Sequence, residues 1–161
     1  MSDGSRGSSS RQGECQAGLG RAPAQDVFLG ILRTADLLQT ELAELLKTLD
    51  LSPTQYNVMR ILRDAGKEGL ACGRIADRML TRDPDMTRLL DRLEKRALIE
   101  RSRDKSDRRV VKTHITDAGR ALLASMDEPV LELHREQFAG VGARDLKTLA
   151  ALLGNVRERR V

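Results

Sequence analysis

Arginine and lysine side chains are the groups in this chain best suited to bind a polyanion, and their excess over acidic residues is concentrated in one segment. Thirteen of them lie between Arg74 and Lys112, against eight Asp or Glu residues. The formal net charge of all 161 residues is only +4. A localised basic excess favours a polyanionic partner such as a nucleic acid. Aromatic residues make up only 2% of the chain, which argues against the stacking platforms that hold single strands.

The second half of the basic segment is predicted to form a β-hairpin. The run Arg109–Ile115 contains Val, Thr and Ile residues that suit a pleated surface, and Ile99–Arg103 is its partner strand. Residues 104–107 between them include Asp and Ser, which favour turns. Arg108 and Arg109 therefore lie at the tip. From the hairpin alone, the tip is either a solvated charge cluster or a surface that contacts a polyanion.

A helix before the hairpin exposes further basic residues. It is predicted to begin at Asp83 as N-cap, with a proline at the first helical position, and to end near Arg96. The spacing of its apolar residues places Arg88 and Arg92 together on the outer face, with Thr87 near the start. The predicted buried stripe consists of Met86, Leu89, Leu90 and Leu93.

The order of these elements is that of a winged helix-turn-helix. A short helix, 73–80, precedes the basic helix, and the major groove of DNA admits one helix whose leading residues reach the base edges. An arginine at the tip of the following hairpin, the wing, suits the negative potential of a narrow minor groove. Asp107 is placed to hold the neighbouring guanidinium through a charge-assisted bond. The alternative is an ordinary solvated face, since Asp85, Asp91 and Glu94 dilute the basic residues.

Further helices are predicted on both sides of this region. Apolar residues recur at three- and four-residue spacing from Pro23 to Asp50, which is typical of an amphipathic helix. A helix capped by Thr116 should be kinked or interrupted at Pro129, and a last helix runs from Ala143 to Arg157. The first and last helices carry more apolar surface than a monomer of this length would bury, which predicts a homodimer.

Shorter patterns complete the prediction. A helix is predicted to begin after Ser52, which is its N-cap and is followed by a proline. Gln55 completes a capping box with Ser52. Leu70–Cys72 is short enough for an edge strand, with Cys72 pointing inward. The composition of 1–22, rich in Gly, Ser, Arg and Gln, predicts a disordered tail. We expect no membrane contact and a cytoplasmic location, because the sequence has neither a spanning apolar run nor a signal peptide.

The wing and the helix before it resemble the MarR family of bacterial transcription regulators. The family pattern is Asp, any residue, Arg, then an apolar strand that ends in Leu-Thr, two residues and Gly. It is present here as Asp107-Arg108-Arg109-Val110 and Ile115-Thr116-Asp117-Ala118-Gly119. The run Met86–Ile99 is similar to the recognition helix and its exit, with Ala97 where the family usually has Gly. The resemblance covers nearly all of 23–159.

The resemblance implies a mainly α fold with a small β-hairpin, a winged helix-turn-helix with a helical dimerisation region. The expected parts are the tail 1–22, a dimerisation helix 23–50, the DNA-binding domain 51–116 and dimerisation helices 117–161. Arg109 would enter the minor groove with Asp107 as its support, and Arg108 is our choice for a phosphate contact. Major-groove and phosphate contacts would come from Thr87, Arg88 and Arg92.

The predicted function is that of a dimeric, sequence-specific regulator that binds a palindromic operator in double-stranded DNA, as a ligand-responsive repressor. Family members often respond to phenolic compounds, oxidants or metals through a cleft between the dimer helices and the winged domain, so a small-molecule effector is expected. We expect neither cofactor nor metal, because His114 and His134 have no ligand spacing. A winged protein-interaction module remains the alternative. An enzyme is disfavoured because no catalytic arrangement or phosphate-binding loop is present.

Overall fold

The computed structural model describes residues 22–80, 85–104 and 107–158. The predicted disordered tail lies outside these residues, except for Ala22. Within them the chain is mainly helical with a small antiparallel sheet, which confirms the predicted fold class. A 3₁₀ turn (Gly66–Glu68) accompanies the elements α1 (Pro23–Lys47), α2 (Pro53–Asp64), β1 (Leu70–Ala71), α3 (Cys72–Arg78), α4 (Met86–Lys95), β2 (Ile99–Arg103), β3 (Val111–Ile115), α5 (Asp117–Gln137) and α6 (Ala143–Glu158).

The chain divides into two units, and the boundary falls inside α1, after Ala35. The described part of the first unit, 22–35, is almost entirely helical and exposes the large apolar side chains of Val27, Phe28, Ile31 and Leu32. The second unit holds the rest of α1 and every later element. Helix α1 ends at Lys47 rather than at the predicted Asp50. The reason is a tight turn in which Asp50 has a positive φ of 53°.

Helix α2 begins as the sequence predicts. The Ser52 hydroxyl accepts the Gln55 backbone N–H at 3.2 Å, and the Gln55 side-chain oxygen accepts the Ser52 N–H at 2.9 Å. This capping box satisfies two N–H groups that a helix start leaves without partners. Gly66 follows the helix with a φ of +63°, a conformation that favours glycine and ends the helix.

The core of the second unit lies beneath α4 and the sheet. The predicted stripe of α4 is confirmed, because all four of its residues are at most 8% exposed. Burial of such side chains is the main favourable term in folding, so the core fixes which face of α4 points outward. The core also takes residues from α1, α2, α3, β2, β3 and α5: Leu46, Tyr56, Val58, Met59, Ile61, Leu62, Ile75, Ile99, Ile115, Leu123, Met126 and Val130.

The sheet has the strand order β1-β3-β2, and both pairings are antiparallel. In the hairpin, Ile99 pairs with Ile115 and Arg103 with Val111. The edge strand β1 is confirmed, one residue shorter than predicted. The second hairpin strand begins at Val111, so the prediction that it starts at Arg109 is wrong. Arg109 lies in the turn, where its N–H is bonded to the Asp107 carboxylate at 2.9 Å.

Three further predictions are corrected. Cys72 is exposed, because it begins α3 and the strand alternation that would turn it inward ends at Ala71. The N-cap of α4 is Asp85, whose carboxylate accepts the Arg88 N–H at 3.3 Å, rather than Asp83, which lies outside the described residues. Helix α5 continues through Pro129, so the interruption that was one of the two predicted outcomes does not occur. The buried residues Met126 and Val130, on either side of the proline, hold the helix against the core.

Candidate nucleic-acid interface

The outer face of α4 carries the predicted helix residues of the interface. Thr87, Arg88 and Arg92 are all exposed, because the buried stripe occupies the opposite face. Asp85 pairs with Arg88 at 3.1 Å between Oδ2 and Nε, in addition to capping the helix. The acidic residue at the start of the helix therefore holds its neighbouring arginine. A partly neutralised arginine of this kind remains a hydrogen-bond donor through its other guanidinium nitrogens.

Arg101 of β2 neutralises the other two acidic residues of α4. Its guanidinium donates to Glu94 Oε2 at 2.9 Å and also to Asp91 Oδ1, and its backbone N–H donates to Glu94 Oε1 at 3.2 Å. The side-chain bond to Arg101 lowers the pKa of Glu94, and bonds to Glu94 and Asp91 raise the pKa of Arg101. Sequence reasoning missed Arg101, because its partners are seven and ten residues away. Only the packing of β2 against α4 brings them together.

The remaining cations of this helix face have no such partners. Within the part of the chain that the structure describes, the side chains of Arg92 and Lys95 make no hydrogen bond or ion pair. Both line an open groove of about 690 Å³ between the end of α1, the start of α2 and α4. Helix α4 therefore turns its acids towards the wing strand β2, where Arg101 pairs with them. Its unpaired cations face the groove.

The turn of the wing places two arginines in the open. Arg108 and Arg109 are exposed, as is Asp107. Asp107 contacts the backbone N–H of Arg109, whereas the sequence predicted a bond to the guanidinium. Among the described residues, the side chains of Arg108 and Arg109 have no protein partner and are available to a ligand. The Asp107 carbonyl accepts the Val110 N–H at 3.0 Å, which completes the turn.

Asp104 is the second acid of this turn, and sequence reasoning treated it only as a turn former. Its Oδ1 accepts the Asp107 N–H at 3.0 Å, and its Oδ2 pairs with Lys112 Nζ at 2.5 Å. Its side chain is only 11% exposed. The bond to Asp104 raises the pKa of Lys112.

The exit of α4 is tied to α5. The hydroxyl of Thr116, which caps α5 as predicted, accepts the Gly119 N–H at 3.1 Å and donates to the Ala97 carbonyl at 2.7 Å. Gly119 itself has no room for a side chain, because a Cβ there would lie 2.2 Å from the Leu98 carbonyl oxygen. Ala97 has a positive φ of 54°, which explains why glycine would suit this position.

A smaller cavity, about 200 Å³, lies between α1, α2 and α5. Arg60 lies 5.9 Å from the centre of the Tyr56 ring, and burial raises the pKa of Tyr56. Both residues line the cavity, together with Gln39, Leu42, Pro53, Thr54, Asn57, Leu80 and His134. In the described ranges, no His, Cys, Asp or Glu cluster has an arrangement that could hold a metal ion. None of the described helices is long and apolar enough to cross a membrane.

A helix-turn-helix with arginines on its second helix, followed by a wing with exposed arginines, is the architecture of winged-helix DNA-binding proteins. The MarR family model matches residues 51–111. A crystal structure of a MarR transcription factor from Planctomyces limnophilus is 38% identical, with a TM-score of 0.65, over 84% of this chain and 98% of that one. The chain therefore belongs to the MarR family of transcription regulators, which are not enzymes.

Two other relatives extend this assignment. A mutant MarR from E. coli, whose crystal structure is a complex with operator DNA, is 26% identical with a TM-score of 0.74, over 85% of this chain and 99% of that one. The transcriptional repressor MdtR from Bacillus subtilis is 32% identical over 94 residues, which are 58% of this chain and 59% of that protein.

Proposed function

We propose that the protein is a homodimeric repressor that binds a palindromic operator in double-stranded DNA and is released by a small-molecule effector. The observation that supports DNA binding most strongly is the pairing of acidic residues on α4. Asp91 and Glu94 are bonded to Arg101 of the wing strand, and this leaves Arg92 and the tip arginines to meet phosphates and bases. Phosphate contacts supply much of the affinity and base contacts the specificity.

The proposed roles follow the exposed groups. Thr87 and Arg88, near the start of α4, would read base edges in the major groove, and Arg92 would contact a phosphate. In the wing, Arg109 would enter the minor groove and Arg108 would contact a phosphate, while Asp107 holds the Arg109 backbone. The DNA-binding domain would span 51–116.

The proposed dimer would use the helices outside that domain, 23–50 and 117–161. No residue of α6 is buried, although a helix with this many leucines ordinarily covers an apolar face. Its exposed apolar residues include Leu149, Leu152 and Val156, and α1 contributes Val27, Phe28 and Leu32. Contact with a second copy would remove these side chains from water, and a twofold dimer would match a palindromic site.

The proposed effector site is the cavity beside Tyr56. A guanidinium and a phenol in a largely apolar cavity fit a small aromatic anion. The cavity lies where the proposed dimer helices α1 and α5 meet α2 of the proposed DNA-binding domain. Binding there would release DNA only if the ligand prefers a conformation with lower DNA affinity.

The test is selection of duplexes from a random pool by the full-length protein, followed by binding measurements at matched salt. We expect a palindromic consensus, and we expect Arg109→Ala to weaken binding to it about 10- to 100-fold. Arg144→Ala, which removes the same charge from α6, is the control and should have a much smaller effect. Light scattering should give twice the 17.9 kDa chain mass for all variants. A screen for ligands that release the selected duplex follows.

The alternative function is a winged protein-interaction module. The acidic residues at the start of α4 and within it favour this alternative, but ion pairs to Arg88 and Arg101 account for those residues. A selection that returns no preferred palindrome would support it, and unchanged binding by Arg109→Ala would contradict the role of the wing.

A further inference from the structure

The geometry of the wing points to Asp104 as a positioning residue that presents Arg109 to DNA. This inference rests on the proposed function and adds a residue that the Asp107-x-Arg109 pattern does not include. It begins with a chain of two bonds. The Asp104 carboxylate accepts the Asp107 N–H, and the Asp107 carboxylate accepts the Arg109 N–H, at 3.0 and 2.9 Å. Asp104 therefore fixes the residue that fixes Arg109.

Asp104, which directly follows β2, is also bonded to the returning side of the hairpin. Its backbone N–H donates to the Val110 carbonyl at 2.9 Å, and its second carboxylate oxygen pairs with Lys112 of β3. The carboxylate is mostly buried, unlike those of the α4 acids, whose exposure is 38% or more. A carboxylate bound to several donors has little rotational freedom, so it is a rigid reference point for the turn.

The sign of the expected effect separates positioning from simple charge. Phosphates repel an acidic residue, so electrostatics alone predicts that removal of the Asp104 charge strengthens DNA binding. If Asp104 positions Arg109, its removal weakens binding, because an arginine with a mobile backbone loses conformational entropy when it enters the groove.

The experiment compares Asp104→Ala, Asp104→Asn and wild type in the full chain, by fluorescence anisotropy with the selected duplex at matched salt. The control is Glu100→Gln, which removes the same charge from β2 of the same hairpin. We expect about tenfold weaker binding for Asp104→Ala and about threefold for Asp104→Asn, whose amide oxygen still accepts the Asp107 N–H. Glu100→Gln should bind as tightly as wild type or more tightly.

A double-mutant cycle tests whether Asp104 acts through Arg109. In an Arg109→Ala background, Asp104→Ala should change affinity by less than about twofold, because coupled residues are not additive. Amide hydrogen exchange of Arg109, measured by NMR without DNA, should be faster in Asp104→Ala than in wild type. This readout shows whether the turn has changed even in a variant that remains fully folded.

Two results would overturn the inference while leaving the regulator function intact. One is tighter or unchanged binding by Asp104→Ala, and the other is an equal loss of affinity in both backgrounds. If the wild-type protein selects no duplex at all, the proposed function fails and the role of Asp104 fails with it. The two failures are therefore distinguished by the wild-type measurement.

Discussion

In α4 the exposed arginines are oriented by the side chains buried beneath the helix, whereas in the wing Arg109 is oriented by a chain of hydrogen bonds within the turn. Leu93 is completely buried and Leu90 is 2% exposed, so α4 cannot rotate without exposing the core. The described residues of the turn form no comparable core, and the carboxylates of Asp104 and Asp107 hold the turn instead by accepting backbone N–H groups. Burial and local hydrogen bonding are thus two solutions to the same problem of presenting a cation.

The largest expected effect tests the helix side of this comparison. Leu93→Ala removes completely buried methyl groups and leaves a cavity beneath α4, so it should lower the free energy of unfolding by about 2–5 kcal/mol. Thermal unfolding by circular dichroism measures this loss. Asp107→Ala, the matched change in the wing, should leave the unfolding temperature almost unchanged. Equal destabilisation by the two variants would refute the distinction.

The next effect tests the link between the two regions. Arg101→Gln leaves Asp91 and Glu94 unpaired on the helix that we propose to face phosphates, so it should weaken duplex binding about tenfold at matched salt. Arg103→Gln removes the same charge from the same strand and is the control, because Arg103 has no ion pair among the described residues. The double variant Arg101→Gln/Glu94→Gln should recover part of the affinity. If Arg101→Gln and Arg103→Gln lose equal affinity, Arg101 is only another surface cation.

The smallest effect is a pH dependence at the same ion pair. Arg101 holds the pKa of Glu94 below its ordinary value of 4.5. The pair therefore stabilises the folded state above that value, and the stabilisation is lost as the pH falls through the folded-state pKa. The pair is partly exposed, so the loss should be less than about 1 kcal/mol. Unfolding temperatures between neutral and acidic pH should fall less for Glu94→Gln than for wild type; parallel curves would be evidence against this contribution.

The same comparison explains what the sequence predicts. The buried stripe of α4 and the capping box at Ser52 follow from spacing within one helix, and both are confirmed. The partners of Arg101 depend on how β2 lies against α4, and no local sequence pattern predicts that packing. The predicted strand start at Arg109 is wrong for a related reason. The next residues, Val110 and Val111, favour a strand. Hydrogen bonds from the N–H groups of Arg109 and Val110 to Asp107 keep both residues in the turn, however, so the strand begins only at Val111.

Gly119 lies where α5 leaves the proposed DNA-binding domain and packs against the exit of α4. A Cβ at Gly119 would collide with the Leu98 carbonyl. The backbone of the first turn of α5 is therefore in direct contact with the backbone at the exit of α4, with no side chain between them. In a dimer assembled through α5 and α6, this contact would couple α5 rigidly to α4. A tilt of α5 would move α4 with it. The angle of α5 would then set the distance between the two half-sites that one dimer can span.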